Sequence, residues 1–239
     1  MLWVRGEIDA AGAEGRAAVE AARIVGHPLT LAFTGSFGAV LYGMRREWEH
    51  CRAYTAEATQ IAERHGFRLW FGVGRMVSGW AERGAVEEVR AGMAVAGETG
   101  NQALMPMILG VFADSCRAAG RDAEAVSAAD LGLAVGERTQ QHFWRPELLR
   151  LKGEAFLRLA DHSEEEAERR FRSAIEVAEG QEARSLELRA ATSLAGISQR
   201  QKKSAEARDF LQPVYDSFTQ GFDTQDLKVA KALLEELRA

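Results

Sequence analysis

The sequence has only two cysteines, four prolines and three tyrosines in 239 residues. The cysteines, Cys51 and Cys116, form no CxxC motif, so the sequence indicates neither a metal site nor a dithiol redox site. Few prolines, with valine and isoleucine sparse beside alanine and glutamate, favour helix over sheet. We expect two buried thiols in a reducing compartment, which predicts a cytoplasmic protein.

An excess of positive charge is also missing. The chain carries 35 acidic and 30 basic residues, a formal net charge of −5. Proteins that neutralise many phosphates present a basic face, so no nucleic-acid partner is predicted. The first residues show no signal peptide. The longest uncharged run, residues 27–44, contains three glycines and a proline, so we predict a buried repeat helix there and no membrane partner.

Motifs of catalysis are absent as well. The glycines of GVGRMVSG, residues 72–79, lie in a helical pattern rather than after a strand, and neither GxxxxGK[ST] nor GxSxG occurs. The five histidines form no HxxxH or HExxH pattern. We therefore predict a chain that is not an enzyme, with no cofactor and no metal ligands.

What the sequence does contain is a repeat. Two sets of helix-end markers recur along the chain, one at spacings of 36 to 42 residues and the other at 34 to 42. The first set is Gly6, Arg45, Gly84, Gly120, Ala160 and Lys202, and the second is Gly26, Gly66, Gly100, Gln140, Glu182 and Gly221. Two markers that keep one period and stay in phase predict a stack of helix pairs.

Each repeat combines an apolar first helix, such as residues 67–84, with a charged, alanine-rich second helix, such as residues 163–181. Ser163 and Glu166 have the spacing of a capping box, which predicts where the latter helix begins. An interior glycine costs roughly 1 kcal/mol relative to alanine, so glycines in first helices predict close helix approach. These are Gly35, Gly38, Gly74, Gly79, Gly110 and Gly153.

The predicted fold is all-α: a right-handed α-solenoid of stacked antiparallel helix pairs, tetratricopeptide-like, with about five to six repeats. We expect one domain over residues 1–239, because stacked repeats share a continuous core. Its parts are a truncated repeat 1–26, repeats 27–66, 67–100, 101–140, 141–182 and 183–221, and a capping helix 223–238. In the truncated repeat, residues 2–6 have the pattern of the tail of a first helix.

Four segments resemble the repeat region of a bacterial protein family. They are GHPLTLAFTGSFGAVLYGMRREW from Gly26, WRPELLRLKGEAFL from Trp144, ARSLELRAATSLA from Ala183 and PVYDSFTQGFDTQDLKVAKALLEEL from Pro213. The family comprises large proteins with a class III nucleotide cyclase or a winged-helix region, a STAND-type or AAA ATPase, and a long tetratricopeptide-like region. The resemblance covers essentially the whole chain and none of the cyclase or ATPase portions. It implies a regulatory or scaffolding arm and brings no catalytic residues.

We predict a non-catalytic protein-interaction module that binds, on a concave face lined by first helices, a peptide or a partner domain, which includes other domains of a longer parent protein. One alternative is a small-molecule-sensing repeat domain of a signalling or transcriptional regulator, with a closed aromatic pocket. The other is a homodimerisation module that associates through Trp3 and Val4. The repeat phase projects eight side chains into the groove, with Arg117 and Arg150 as carboxylate clamps: Tyr42, Phe71, Ser78, Met107, Asp114, Arg117, Arg150 and Glu154.

Overall fold

The computed structural model describes residues 2–161 and 163–238. Within these ranges the chain forms twelve α-helices and no β-strand, so the predicted all-α fold of helix pairs is confirmed. The helices are α1 (Ile8–Val25), α2 (Pro28–Met44), α3 (Trp48–Arg64), α4 (Arg68–Ala81), α5 (Val86–Gly97), α6 (Met105–Ala118), α7 (Asp122–Thr139), α8 (Arg145–Phe156), α9 (Glu164–Gly180), α10 (Arg184–Arg200), α11 (Ser204–Asp216) and α12 (Gln225–Glu236).

The helices follow the repeat period of the sequence. The pairs α2–α3, α4–α5, α6–α7, α8–α9 and α10–α11 fall one to a repeat, and α12 lies within residues 223–238. We call α2, α4, α6, α8 and α10 the first helices. The capping box that the sequence predicted for α9 is present, because Ser163 and Glu166 exchange side-chain to backbone hydrogen bonds.

The contacts group the chain into two compact units. Unit A comprises residues 12–142; each helix from α2 to α7 contacts the next, and α2, α4 and α6 contact one another in that order. Unit B comprises residues 2–11 and the described residues from 143 onward; its helices α8 to α12 follow the same rule, with α8 and α12 both against α10. Neighbouring helices joined by short connectors run antiparallel, so each unit is built of helical hairpins.

Left-handed residues end most of the helices. Of the twelve marker residues, ten have positive φ, and the exceptions are Arg45, whose neighbour Arg46 takes that role, and Ala160. At Gly66 the backbone makes both bonds of a Schellman motif: Gly66 N–H donates to Glu63 O at 3.2 Å and Phe67 N–H to Ala62 O at 2.9 Å. Most of the markers therefore stand at positions where the backbone turns left-handed at the end of a helix.

Residues 2–6 form a turn and not the helix tail that the repeat phase predicted. The turn nevertheless ends like a helix, since Gly6 N–H donates to Trp3 O at 3.0 Å and Glu7 N–H to Leu2 O at 3.1 Å. Gly6 has φ +88°, which favours glycine.

Small residues let the paired helices approach closely, as predicted for several glycines. A Cβ at Gly35 would lie 2.9 Å from Ala58 Cβ, and one at Gly153 would lie 2.6 Å from the Phe171 ring. Between α4 and α5 the contact is backbone against backbone, where Gly72 faces Gly92. A Cβ at Gly72 would lie 2.8 Å from Gly92 O, so this pair of glycines sets the spacing of the two helices.

Candidate functional site

The structure places the eight predicted groove residues at different depths. Tyr42, Met107, Asp114 and Arg150 are buried, Phe71, Arg117 and Glu154 are half-buried, and Ser78 is exposed. A side chain that lines an open groove must reach solvent, so the expectation is corrected for the four buried residues. The reason is that their first helices are covered on more than one face: α6 is buried at every position from Pro106 to Cys116.

Asp114 is the centre of a charged cluster in unit A. Its Oδ2 accepts hydrogen bonds from Trp80 Nε1 at 2.8 Å and Arg83 Nη1 at 3.4 Å, and its Oδ1 lies 3.9 Å from Arg117 Nη2. Burial raises the pKa of this carboxyl, but the charge of Arg46, the Trp80 hydrogen bond, Arg83 and Arg117 outweigh burial and hold the pKa below its ordinary value. Asp114 is therefore an ionised structural anchor that joins α4 to α6.

Arg150, the other predicted clamp, is held in unit B by carboxylates of its own chain. Its Nε and Nη2 donate to the two oxygens of Glu147 at 2.9 and 2.8 Å, and its Nη1 donates to Glu154 Oε1 at 3.5 Å. Ser193 Oγ donates to that same Glu154 oxygen at 2.6 Å, and Arg189 Nη1 donates to Glu147 Oε1 at 3.2 Å. The bidentate arrangement expected for a ligand carboxylate thus lies within α8, and the bonds from Ser193 and Arg189 tie α8 to α10.

Trp3 and Val4, the predicted self-association residues, are buried in unit B, with 3% and 7% of their surface exposed. The Ser185 backbone N–H donates to Val4 O at 3.0 Å, and Ser185 Oγ donates to Trp3 O at 2.5 Å. The Arg189 guanidinium carbon lies 4.8 Å from the centre of the Trp3 ring. As placed, these residues form an internal contact with α10 and not a free dimer surface, which corrects that expectation.

Unit A carries an exposed aromatic surface that the groove projection missed. Phe33 and Phe37 of α2 are 47% and 38% exposed, and the half-buried Trp70 of α4 packs beside them. The ring centres lie 4.9 Å apart for Phe33–Phe37, 5.1 Å for Phe33–Trp70 and 5.7 Å for Phe37–Trp70. We call these three rings the aromatic patch. It lies on two consecutive first helices, which are the elements predicted to bind a partner.

Two signals in the sequence point to this patch. Leu29, Phe33 and Phe37 recur every four residues, so they form one stripe on α2, a helix that contains no charged residue. On α4 the projection selected Phe71, whereas the neighbouring Trp70 contacts the α2 rings. Adjacent helical residues point about 100° apart, so a phase error of one residue accounts for the miss.

The remaining reactive side chains are the two cysteines and the residues of the kinds that ligate metals. Cys51 and Cys116 are free thiols and fully buried, and burial raises their pKa to about 12 and about 11. Among residues 2–161 and 163–238, no three histidine, cysteine, aspartate or glutamate side chains are grouped so that they could hold a metal ion. In those same ranges no helix combines the length and the apolar character that crossing a bilayer requires.

No family model matches the chain. An uncharacterized protein of Rhizobium meliloti (strain 1021) is 28% identical over 200 residues, which cover 81% of this chain. The match spans only 19% of that relative's length. The relative thus shares a sequence of this kind as a small part of a much longer polypeptide.

Proposed function

We propose that this chain is a non-catalytic interaction module whose aromatic patch binds an apolar peptide segment of a partner protein. The observation that carries the proposal is the pairing of Phe33, Phe37 and Trp70 on the surface of consecutive first helices. Clustered, partly exposed aromatic rings mark interaction sites, because they remove much apolar surface from water and lose little conformational freedom on binding.

The surroundings of the patch favour an apolar ligand. No residue of α2 is charged. Thr34 lies between the two phenylalanines, and its hydroxyl donates a hydrogen bond to Thr30 O of the same helix at 2.7 Å. A ligand that covers this surface therefore leaves no buried charge unpaired. The arginines of α4 lie in ion pairs, Arg68 with Glu98 and Arg75 with Glu88. We expect aliphatic or aromatic anchors in the ligand and not an acidic motif.

A library of random peptides displayed on phage tests this proposal. We expect selection on the native chain to enrich peptides with two or more apolar anchors. The double substitution Phe37→Ala with Trp70→Ala should weaken the selected peptides at least tenfold, about 1.4 kcal/mol, in a calorimetric titration. Removing Leu131, which is 53% exposed on α7, should leave the affinity unchanged and serves as the control for exposed apolar area.

Two results decide the outcome. Circular dichroism must first show that the double variant retains the helix content of the native chain. If the selected peptides then bind the double variant and the Leu131→Ala variant with equal affinity, the patch is not the binding site. Arg117 and Arg150 do not serve this test, because both take part in structural contacts of their own unit.

We further propose that the module acts as the regulatory arm of a larger bacterial signalling protein in the cytosol. The resemblance to tetratricopeptide-like regions of cyclase and ATPase proteins supports this setting, as does the length of the Rhizobium relative. Two buried free thiols are in keeping with a reducing compartment. The bound segment would then come from another domain of the same protein or from a separate partner. Crosslinking from position 70 of the full-length protein, followed by co-purification, distinguishes these two sources.

A further inference from the structure

The segment Leu2–Gly6 is held in unit B much as a bound peptide is. Its main-chain oxygens at Trp3 and Val4 accept hydrogen bonds from Ser185, near the start of α10. The Trp3 ring covers the guanidinium of Arg189, one helical turn further along. The segment turns away at Gly6, where a Cβ would lie 3.1 Å from the Phe218 ring. We call the surface formed by Ser185, Arg189 and Phe218 the α10 socket.

The socket is rigid and prepared for this kind of occupant. Arg189 donates through Nε to Asp226 at 2.7 Å and through Nη1 to Glu147 at 3.2 Å, so carboxylates on two sides fix its guanidinium plane. An arginine immobilised in this way presents its face to an aromatic ring without losing side-chain entropy on binding. Ser185 lies in the first turn of α10, where backbone N–H groups have no partner within the helix.

The contacts that hold the segment are generic in their chemistry. Two are main-chain carbonyls, which any peptide supplies, and the third is one large aromatic ring flanked by the aliphatic residues Leu2 and Val4. Residues 2–6 form a hydrogen-bonded turn.

We propose that the α10 socket is a second binding site, which takes a tryptophan-bearing apolar segment of a partner protein, and that Leu2–Gly6 occupies it as an internal competitor. The partner segment would place its indole over Arg189 and two carbonyls against Ser185. The site is independent of the aromatic patch, so it stands or falls separately from the function proposed above. Binding at the socket requires release of Trp3, which makes occupancy by the partner and docking of residues 2–6 mutually exclusive.

The test uses the full chain and a fluorescein-labelled synthetic peptide with the sequence of Leu2–Asp9, followed by fluorescence anisotropy. In the native chain the tethered segment competes at an effective concentration in the millimolar range. The variant Trp3→Ala weakens that competitor, so we expect its Kd for the peptide to be at least tenfold lower than that of the native chain. The same peptide with alanine in place of tryptophan should not bind either protein.

Two more variants test the internal segment and the socket separately. Gly6→Val weakens docking of the internal segment through its positive φ and the Phe218 contact while leaving the socket intact, so it should also bind the peptide more tightly than the native chain does. Adding Ser185→Ala to Trp3→Ala removes one socket donor and should weaken binding severalfold. The Phe37→Ala, Trp70→Ala double substitution should have no effect, which separates the socket from the patch.

Three outcomes would overturn the proposal. The first is equal peptide affinity for the native chain and for both variants that weaken docking of residues 2–6. The second is binding that Ser185→Ala does not alter. The third is a native chain that light scattering shows to be a dimer, with the dimer lost in Trp3→Ala, because the socket would then accept residues 2–6 of a second copy and not a partner's segment.

Discussion

At the scale of single residues, two buried carboxylates are paired with side chains of neighbouring repeats. Asp114 accepts a hydrogen bond from Trp80, 34 residues earlier in the chain, and Glu147 accepts from Arg189, 42 residues later. Burying a charge is costly unless it is paired and hydrogen-bonded. These residues therefore fix how one first helix lies against the next, whereas the repeat phase had projected Asp114 into the groove.

Replacing Asp114 by asparagine should reveal its structural role. The variant keeps an acceptor for Trp80 but leaves Arg46, Arg83 and Arg117 without the negative charge, so we expect a loss of about 3 kcal/mol in unfolding free energy near neutral pH. Because the native pKa of Asp114 is lowered, its contribution is present above the ordinary carboxyl range and disappears as the pH falls through the native pKa. Urea unfolding from pH 7 to pH 3 measures this.

The stability difference between the native chain and Asp114→Asn should stay constant near neutral pH and shrink once the pH falls into and below the ordinary carboxyl range. Asparagine at the exposed Asp223 provides the matched control, because a surface carboxylate without buried partners should change stability by only a few tenths of a kcal/mol. A difference at Asp114 that stays constant over the pH range would show that shape, and not charge, matters there.

At the scale of helices, two local devices shape the fold: left-handed residues at helix ends and small residues at helix crossings. Both were readable from the sequence, although imperfectly. The marker at Arg45 was one residue early, because Arg46 takes the positive φ. Gly72 and Gly92, where the backbones of α4 and α5 meet, stood out less than the glycines singled out for packing, because such a contact depends on which helix comes to lie opposite.

Alanine at Gly92 tests the crossing of α4 and α5. The new Cβ would meet the Met76 backbone and Gly72 O at 2.6 Å, so the helices must move apart, and we expect a loss of about 2 kcal/mol or more. Alanine at Gly97, in the last turn of the same helix, meets nothing within 4 Å. Since alanine is the better helix former, that control should be unchanged or gain about 0.5 kcal/mol, as thermal unfolding of both variants would show.

At the scale of the whole molecule, the repeat appears in the ion pairs as well as in the helices. The pairs Arg23–Glu57, Arg90–Glu124, Glu87–Arg121 and Arg172–Glu206 each join residues 34 apart. All four involve side chains that are well exposed, so each contributes little stability. These pairs recur at the repeat spacing. Second helices therefore present complementary charges in register from one repeat to the next.

Thiol reactivity reports how well unit A stays closed. Burial raises the pKa of Cys51 to about 12 and that of Cys116 to about 11. A cysteine thiol in an unfolded chain has a pKa of about 8.5. We expect neither thiol to react with Ellman's reagent at about pH 8 faster than the unit opens, because only an exposed thiolate is nucleophilic. The variant Ser78→Cys, at an exposed position of α4, should react at once and validates the assay.

The same pKa shifts predict a loss of stability in alkali. With native values raised, the stabilisation is fully present below the unfolded pKa and is lost as the pH rises towards 11 and 12. Replacing both cysteines by alanine should remove this part of the alkaline destabilisation in a pH series of urea unfolding curves. Rapid labelling of the native chain at pH 8 would instead indicate that α3 and α6 open locally.

The sequence by itself determined the helices, their pairing and the places where they end, because these depend on local backbone conformation and on a period that nearby residues carry. Only the tertiary structure decided which side of each first helix meets solvent. Tyr42, Met107 and Arg150 are interior and Phe33 is exposed because burial depends on what lies across from a helix. For the same reason Trp3, read from the sequence as an open edge, lies against α10: its neighbours there are some 180 residues away along the chain.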